Sequence, residues 1–165
     1  MSKKSGPQSI GKTRGGTNTK IHAIVANEKA LIAFHLSRGN LHDGPQGRLL
    51  IEHLDQEYEN SYVLMDKAYE GAHTRQAVLD KGMIPVVPPK TNRKNQWEYD
   101  KTLYRRRNEV ERFFRRLKYS RRIFTRYDKL DTTYIAFIQL ALVGEFFRKS
   151  VNTPYRYKVP FDNII

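Results

Sequence analysis

Apolar positions along the chain fall into two kinds of run. Short runs at Lys20–Ala26 (KIHAIVA), Ala30–Ser37 (ALIAFHLS), Ser61–Met65 (SYVLM) and Met83–Val87 (MIPVV) lack helical spacing and predict strands. The first two, separated by Asn27-Glu28-Lys29, predict a β-hairpin, and Pro85 predicts that the last lies at an edge or a bulge. Longer stretches repeat apolar residues every three or four positions and predict helices. One runs from Gly44 to about Tyr58 with Leu49, Leu50 and Leu54 as its buried face. A second, Ala72–Lys81, is stopped by Gly82. A third covers 102–118. The last runs from Asp131 or Thr132 to about Lys149 with Ile135, Ile138, Leu142 and Phe146 buried. The resulting order is strand, strand, helix, strand, helix, strand, helix, helix, an α/β chain.

The polar stretches divide it. Residues 1–20 are rich in Gly, Ser, Thr and Lys and predict a flexible basic N-terminal arm, or a terminus without a role. Residues 151–165 predict an irregular C-terminal tail. Lys90–Asp100 (KTNRKNQWEYD) sets basic residues around Trp97 and Tyr99. It reads either as a loop that grips phosphates and stacks on a base, or as a surface loop pinned by one buried Trp. His22 and His35 lie inside strands and read as packing residues. His42 and Asp43 read as a helix cap or as part of a metal or polar network. Asp66 closes the SYVLM strand, where it either begins the turn DKAYEG or needs a partner or a metal.

The helix at 102–118 has the sharpest pattern. At about 100° per residue, Tyr104, Arg107, Glu111 and Lys118 fall at about 0°, −60°, −20° and −40°. Leu103, Val110, Phe114 and Leu117 lie beside them, at about −80° to −140°. Glu109 points about 160° away from Glu111 and predicts an exposed side chain. A carboxylate, two cations and a phenol thus border the apolar stripe. One explanation is an amphipathic helix whose charges are solvated or paired at i,i+4, as Glu111 with Arg115.

Charge narrows the partners. Thirty Lys+Arg against seventeen Asp+Glu give +13 over 165 residues, which points to a polyanion, most simply nucleic acid. The basic residues do not oppose one apolar face, so a membrane surface is disfavoured. There is no cysteine. Disulfides and thiolate metal sites are therefore excluded, as expected of a cytoplasmic protein. The longest apolar segment, Tyr134–Phe147, contains Gln139 and Glu145 and is too short to span a bilayer.

The spacing Tyr-x2-Arg-x3-Glu-x6-Lys, met by Tyr104, Arg107, Glu111 and Lys118, resembles the signature of DDE-type transposases of bacterial insertion sequences. The resemblance also covers GKTRGGTNTKIHAIV, GNLHD, VLMDKAYEG, IPVVPPK and RRIFTRYDKL, nearly the whole chain from Ser5 to Arg148. It implies an RNase H-like mixed sheet flanked by helices over residues 21–150, lacking the first strand. Asp66 matches the second Asp of the triad, with Ala68 where the family usually has Gly, and Glu111 matches the Glu. Both are then catalytic metal ligands for Mg²⁺ or Mn²⁺, two ions in the complete enzyme.

The resemblance further implies that Tyr104, Arg107 and Lys118 orient Glu111 or contact DNA. With Arg115, Arg116, Arg121 and Arg122 they form the expected DNA-binding set. The family's first Asp lies upstream of the segment matched by GPQSIGKTRGG. The chain is therefore expected to be the C-terminal portion of a transposase that needs an upstream N-terminal segment. The implied partners are double-stranded DNA, both element ends and target, and other copies of the enzyme on that DNA. The implied setting is the bacterial nucleoid. A catalytically inactive DNA-binding remnant or regulator of transposition explains the same residues.

Overall fold

Residues 22–26, His-Ala-Ile-Val-Ala, are buried without interruption, as expected of a strand covered on both faces. They belong to a computed structural model that describes residues 6–54, 58, 60–150 and 163–164, with side chains described as far as Glu145. The chain forms two compact units. Met1–Ile21, Leu36–Leu41 and Phe114–Val159 make the first; His22–His35, His42–Phe113 and Pro160–Ile165 make the second. Strands β2 (Gly16–Asn27) and β3 (Ala30–Arg38), the expected hairpin, contribute residues to both.

The second unit is mixed α/β. In its sheet β6 (Asn163–Ile164) lies parallel to β4 (Tyr62–Leu64) and antiparallel to β2, and β5 (Ile84–Val86) lies parallel to β4. Pro85 sits on β5, at the end of the strand order, where its missing N–H costs no ladder bond. Helices α1 (Asp43–Glu52) and α2 (Ala72–Asp80) pack on each other and on this sheet. Their shared core is Ile24, Leu50, Ile51, Leu54, Val63, Met65, Ala77, Val78, Met83 and Val87.

Helix α2 stops as expected. Gly82 takes φ +69°, its N–H bonds Leu79 O at 2.9 Å, and Met83 N–H bonds Val78 O at 3.1 Å, which is a Schellman close. Val78 and Met83 are themselves core residues, so the cap also docks the helix.

Several expectations are corrected. Helix α1 ends at Glu52, and its buried positions are Gly47, Leu50 and Ile51, joined beyond its end by Leu54. These follow i, i+3, i+4, i+7, and Leu49 falls off that stripe and is 39% exposed. His42, not Asp43, is the N-cap, and it makes no side-chain cap bond; Asp43 lies in the first turn, where its charge favours the helix dipole.

The helix expected at 102–118 is broken into α3 (Lys101–Tyr104), a 3₁₀ turn (Arg105–Arg107) and α4 (Asn108–Leu117). Each 3₁₀ residue turns about 20° further than an α residue, so the apolar stripe shifts. Val110, Phe113 and Leu117 are buried, and Phe114 only half so.

In the first unit β1 (Gly11–Thr13) pairs antiparallel with β2, Gly11 facing Asn18 and Thr13 facing Gly16. Residues 6–20, expected within a flexible arm, are therefore structured; residues 1–5 lie outside the described residues. What orders them is Asp131, the first residue of α6 (Asp131–Ser150), through bonds to Ser9. The buried side of α6 is Asp131, Tyr134 and Ile138; Ile135 and Leu142 are half-buried, and Phe146 is outside the described side chains. A short helix α5 (Arg121–Phe124) precedes it. Of the expected irregular tail, residues 151–162 and 165 lie outside the described residues, and 163–164 form β6.

Candidate active site

Strand β4 ends at Leu64, Met65 is buried in the core, and the next residue, Asp66, turns outward. Its carboxylate accepts the Ala68 N–H at 3.1 Å and so starts a 3₁₀ turn, Lys67–Tyr69. Asp66 therefore does begin a turn, but its other oxygen is used elsewhere. Oδ2 lies 3.7 Å from Nη1 of Arg107. The same guanidinium donates through Nη2 to Oε1 of Glu111, one helical turn later. Glu111 thus does pair at i,i+4, but with Arg107 rather than with Arg115. Arg107 stands between two carboxylates that would otherwise repel each other.

Tyr104 joins them. The Arg107 guanidinium carbon lies 5.8 Å from its ring centroid, and Tyr99 packs edge-on at 5.4 Å. Burial pushes the Tyr104 phenol up; the Arg107 charge opposes this and the Asp66 charge adds to it. Asp100 caps α3 by accepting the N–H groups of Thr102 and Leu103, both at 2.8 Å. That cap fixes where Tyr104 and Arg107 begin.

Exposure decides what this arrangement can do. Arg107 is 21% exposed, Asp66 49% and Glu111 53%. Exposed ion pairs contribute little to stability, about 0–1 kcal/mol. The two carboxylates therefore remain free to exchange Arg107 for another cation. They are hard oxygen donors of the kind Mg²⁺ takes. They are too few for a complete site: among the described residues no group of three His, Cys, Asp or Glu could hold a metal. The donor set is right in kind and short in number.

The structure thus brings together Asp66, Tyr104, Arg107 and Glu111, all within the second unit. Lys118, Arg115, Arg116, Arg121 and Arg122 belong to the first. All five carry cations on or just after α4 and on α5; Arg116 is half-buried and the others are exposed. Arg122 is partly committed, with Asp128 at 3.5 Å and the Phe137 ring at 4.0 Å.

Trp97 serves the fold. Its indole N–H donates to Val87 O at 2.9 Å, and Arg75 lies 3.9 Å from the ring centroid. Arg93 beside it is bonded to the buried Glu70, at 2.7 Å through Nε. Burial pushes the Glu70 carboxyl up, but Arg93 and Lys90 outweigh this and hold it below the usual range. The 90–100 loop is pinned, not free to stack on a base.

Tyr69 was not singled out by the sequence. Tyr69 docks its ring against Gly47, where a Cβ would meet it at 2.4 Å, and its hydroxyl meets His22 Nδ1 at 3.0 Å. Burial, then Asp43 and Asp66, push its phenol up. His35 stacks on His22, its Nε2 3.0 Å from Gln46 Oε1, so both histidines are packed polar residues. Glu109 accepts the Glu28 N–H at 3.1 Å and an Arg112 bond at 3.1 Å. The helical wheel turns it away from Glu111, and it meets the β2–β3 turn. No local signal marks that contact, because its partners are 81 residues apart in sequence.

Comparison with known proteins adds to this geometry. The model of the family described as "Transposase DDE domain" matches residues 2–143. A Brucella ovis protein named as a transposase for insertion sequence element IS6501 is 31% identical over 125 residues, which cover 74% of this chain and 93% of that protein. No solved structure matches.

Proposed function

The chain belongs to the transposase DDE domain family, whose members carry out DNA transposition with divalent metal ions, and on that premise we propose that it is the C-terminal portion of such an enzyme. The observation that carries this reading is the Arg107 bridge between Asp66 and Glu111, with Tyr104 on its flank. Three signature residues and the strand-end Asp meet at one exposed point, which is what a shared metal and phosphate site requires. In this reading the second unit is RNase H-like, and Asp66 and Glu111 are two of three carboxylate ligands for Mg²⁺ or Mn²⁺.

An upstream segment would supply the third carboxylate and complete a site for two ions. Held there, such ions would supply Lewis-acid chemistry to the attacking hydroxyl and the leaving oxygen. Arg107 would hold the two carboxylates in place until the metal arrives. Tyr104 would orient Arg107, and Lys118 with Arg115, Arg116, Arg121 and Arg122 would hold DNA phosphates. The enzyme would act as several copies on element ends and target, in the bacterial nucleoid.

Cleavage assays test this directly. The isolated chain, given element-end DNA and Mg²⁺ or Mn²⁺, is expected to bind without nicking. Adding the upstream segment should start cleavage, and Glu111→Gln should stop it. Strong cleavage by the chain alone, lost in Asp66→Ala, would show that the triad lies elsewhere. A second reading, a DNA-binding regulator without catalysis, is favoured by a site of only two carboxylates already bridged by Arg107. It predicts end-binding that competes with the complete enzyme and no cleavage with any upstream segment.

A further inference from the structure

The three most exposed large apolar side chains of the described residues lie within nine positions of each other. Tyr119 is 74% exposed, Phe124 70% and Tyr127 71%. A single exposed ring is ordinary, but three in one short stretch are not. No ring contact or ion holds any of them among the described residues, whereas Tyr134, seven positions on, is buried under Arg126 and donates to Ile123 O at 2.9 Å.

Their neighbours say what they face. From Arg115 to Lys129 there are seven cations and one carboxylate, Asp128. Asp128 pairs with Arg122, and Arg126 is committed to Asp131. Among the described residues Arg115, Lys118, Arg121 and Lys129 form no ion pair. The one aliphatic residue among the rings, Ile123, is turned inward and is 5% exposed. What remains at the surface is aromatic rings, guanidinium and ammonium groups, and the hydroxyl residues Ser120 and Thr125.

A surface made to pack against protein would be short of charge at its centre. Rings interleaved with cations are instead how proteins hold unpaired nucleotides: cations track the phosphates and rings stack on the bases. Paired bases offer no open face to such rings. From this juxtaposition we infer that residues 119–127 form a stacking platform for single-stranded DNA. The inference rests on the DNA reading above and adds to it a preference for unpaired over paired strands. It also moves base stacking from the 90–100 loop, whose Trp97 is occupied, to the turn around α5.

The test compares one oligonucleotide sequence as a single strand and as a duplex, with the full chain, by fluorescence anisotropy across a salt series. The variants are Tyr119→Ala, Phe124→Ala and Tyr127→Ala, with Tyr119→Phe and Tyr127→Phe as ring-retaining controls. Each Ala change should weaken single-strand binding roughly fivefold or more. Duplex binding should stay within about twofold and the salt slope should not change, since no phosphate contact is lost. The Phe variants should bind as the parent does. Equal losses on both DNA forms would overturn the inference, as would unchanged single-strand binding in the Ala variants.

A concentration-dependent rise in mass, abolished by the Ala changes, would also overturn it, by making the rings an interface between copies. If the parent chain binds neither form, the DNA reading itself fails. If it binds both and the rings do not matter, only the platform does.

Discussion

Two of the arginines that bind carboxylates in this molecule, Arg126 and Arg107, do opposite work. In the first unit Arg126 is 9% exposed and Asp131 11%. Each of their polar groups is used. Asp131 accepts the Ser9 N–H at 2.8 and 3.0 Å, the Ser9 hydroxyl at 2.7 Å and Arg126 Nη2 at 2.7 Å. Arg126 also reaches Thr19 Oγ1 and the backbone oxygens of Asp128 and Lys129. In the second unit Arg107 touches Asp66 at 3.7 Å and Glu111 more closely, but both carboxylates are about half exposed. The same chemistry is thus structural where every lone pair is taken and water is excluded. It is available for a ligand where neither holds. Charge type does not separate the two; burial and satisfaction do.

The sharpest way to break this comparison is to remove one partner from each set of pairs. Asp131→Ala leaves the Arg126 guanidinium buried without its counter-charge and frees the Ser9 amide and hydroxyl. The expected loss is about 3 kcal/mol, within the range for breaking a buried pair, read from urea unfolding. Arg107→Ala, on the exposed side, should cost less than about 1 kcal/mol. Comparable losses in the two variants would erase the distinction.

Acid should sharpen the same contrast. Burial pushes the Asp131 carboxyl up, but the Ser9 amide and hydroxyl and Arg126 outweigh it and hold the carboxyl below its usual range. Glu70 is held low in the same sense by Arg93 and Lys90. A carboxyl depressed in the folded state adds stability that is complete above its unfolded pKa. That stability disappears as pH falls through the folded value. The thermal midpoint should therefore hold from neutral pH down to about pH 5 and fall below about pH 4, the range of unfolded carboxyls. In Asp131→Asn that acid-dependent fall should be smaller, from a lower starting midpoint. An equal fall in parent and variant would mean that Asp131 does not carry it.

Strands β2 to β5 were legible because strands buried on both faces leave unbroken apolar runs, as at Ile24-Val25 and Val63-Leu64-Met65, whereas β1 and β6 lie in segments expected to be a flexible arm and an irregular tail. Gly82 was legible because only glycine sits easily at φ +69° after a helix. The structure of residues 9–20 was not, because its anchor, Asp131, lies 122 residues away from Ser9. Phe113 was missed in favour of Phe114 because a 3₁₀ turn resets the helical phase, and three consecutive arginines gave no warning of it. At the site, Tyr104, Arg107 and Glu111 could be grouped from spacing alone. Asp66 joined them only through the family resemblance, since a strand-end Asp before a turn is commonplace. Trp97 looked like a ligand group because sequence shows its basic neighbours and not the Val87 carbonyl that holds it.

A middle case tests whether burial grades the effect. Glu109 is 24% exposed and accepts from both the Glu28 N–H and Arg112. Its expected exposed character is corrected by these bonds. Glu109→Gln retains one acceptor oxygen but loses the charge. It should cost about 1 kcal/mol, the scale of one hydrogen bond, and leave DNA cleavage by the reconstituted enzyme unchanged. Loss of cleavage at unchanged stability would mean that the register of the Tyr104–Lys118 spacing is wrong.

The smallest effect on the fold is expected at the carboxylates with the largest role in the proposed chemistry. Glu111 and Asp66 are each about half in water, and their common partner is an arginine that water can also solvate. Replacing either by its amide opens no cavity and removes one exposed pair. The expected stability change for Glu111→Gln or Asp66→Asn is within about 0.5 kcal/mol. Removing one negative charge from beside Arg107 should even favour duplex DNA slightly, since repulsion of phosphate falls. Cleavage responds differently. An amide oxygen is a neutral, weaker ligand for a hard divalent ion, so either change should abolish nicking by the complete enzyme. The measurement is the thermal midpoint, duplex affinity and cleavage rate of the two variants beside Glu109→Gln. A site for metal and phosphate predicts midpoints and affinities close to the parent with cleavage gone. A purely structural pair predicts the reverse, a lower midpoint with cleavage scaled only to the folded fraction.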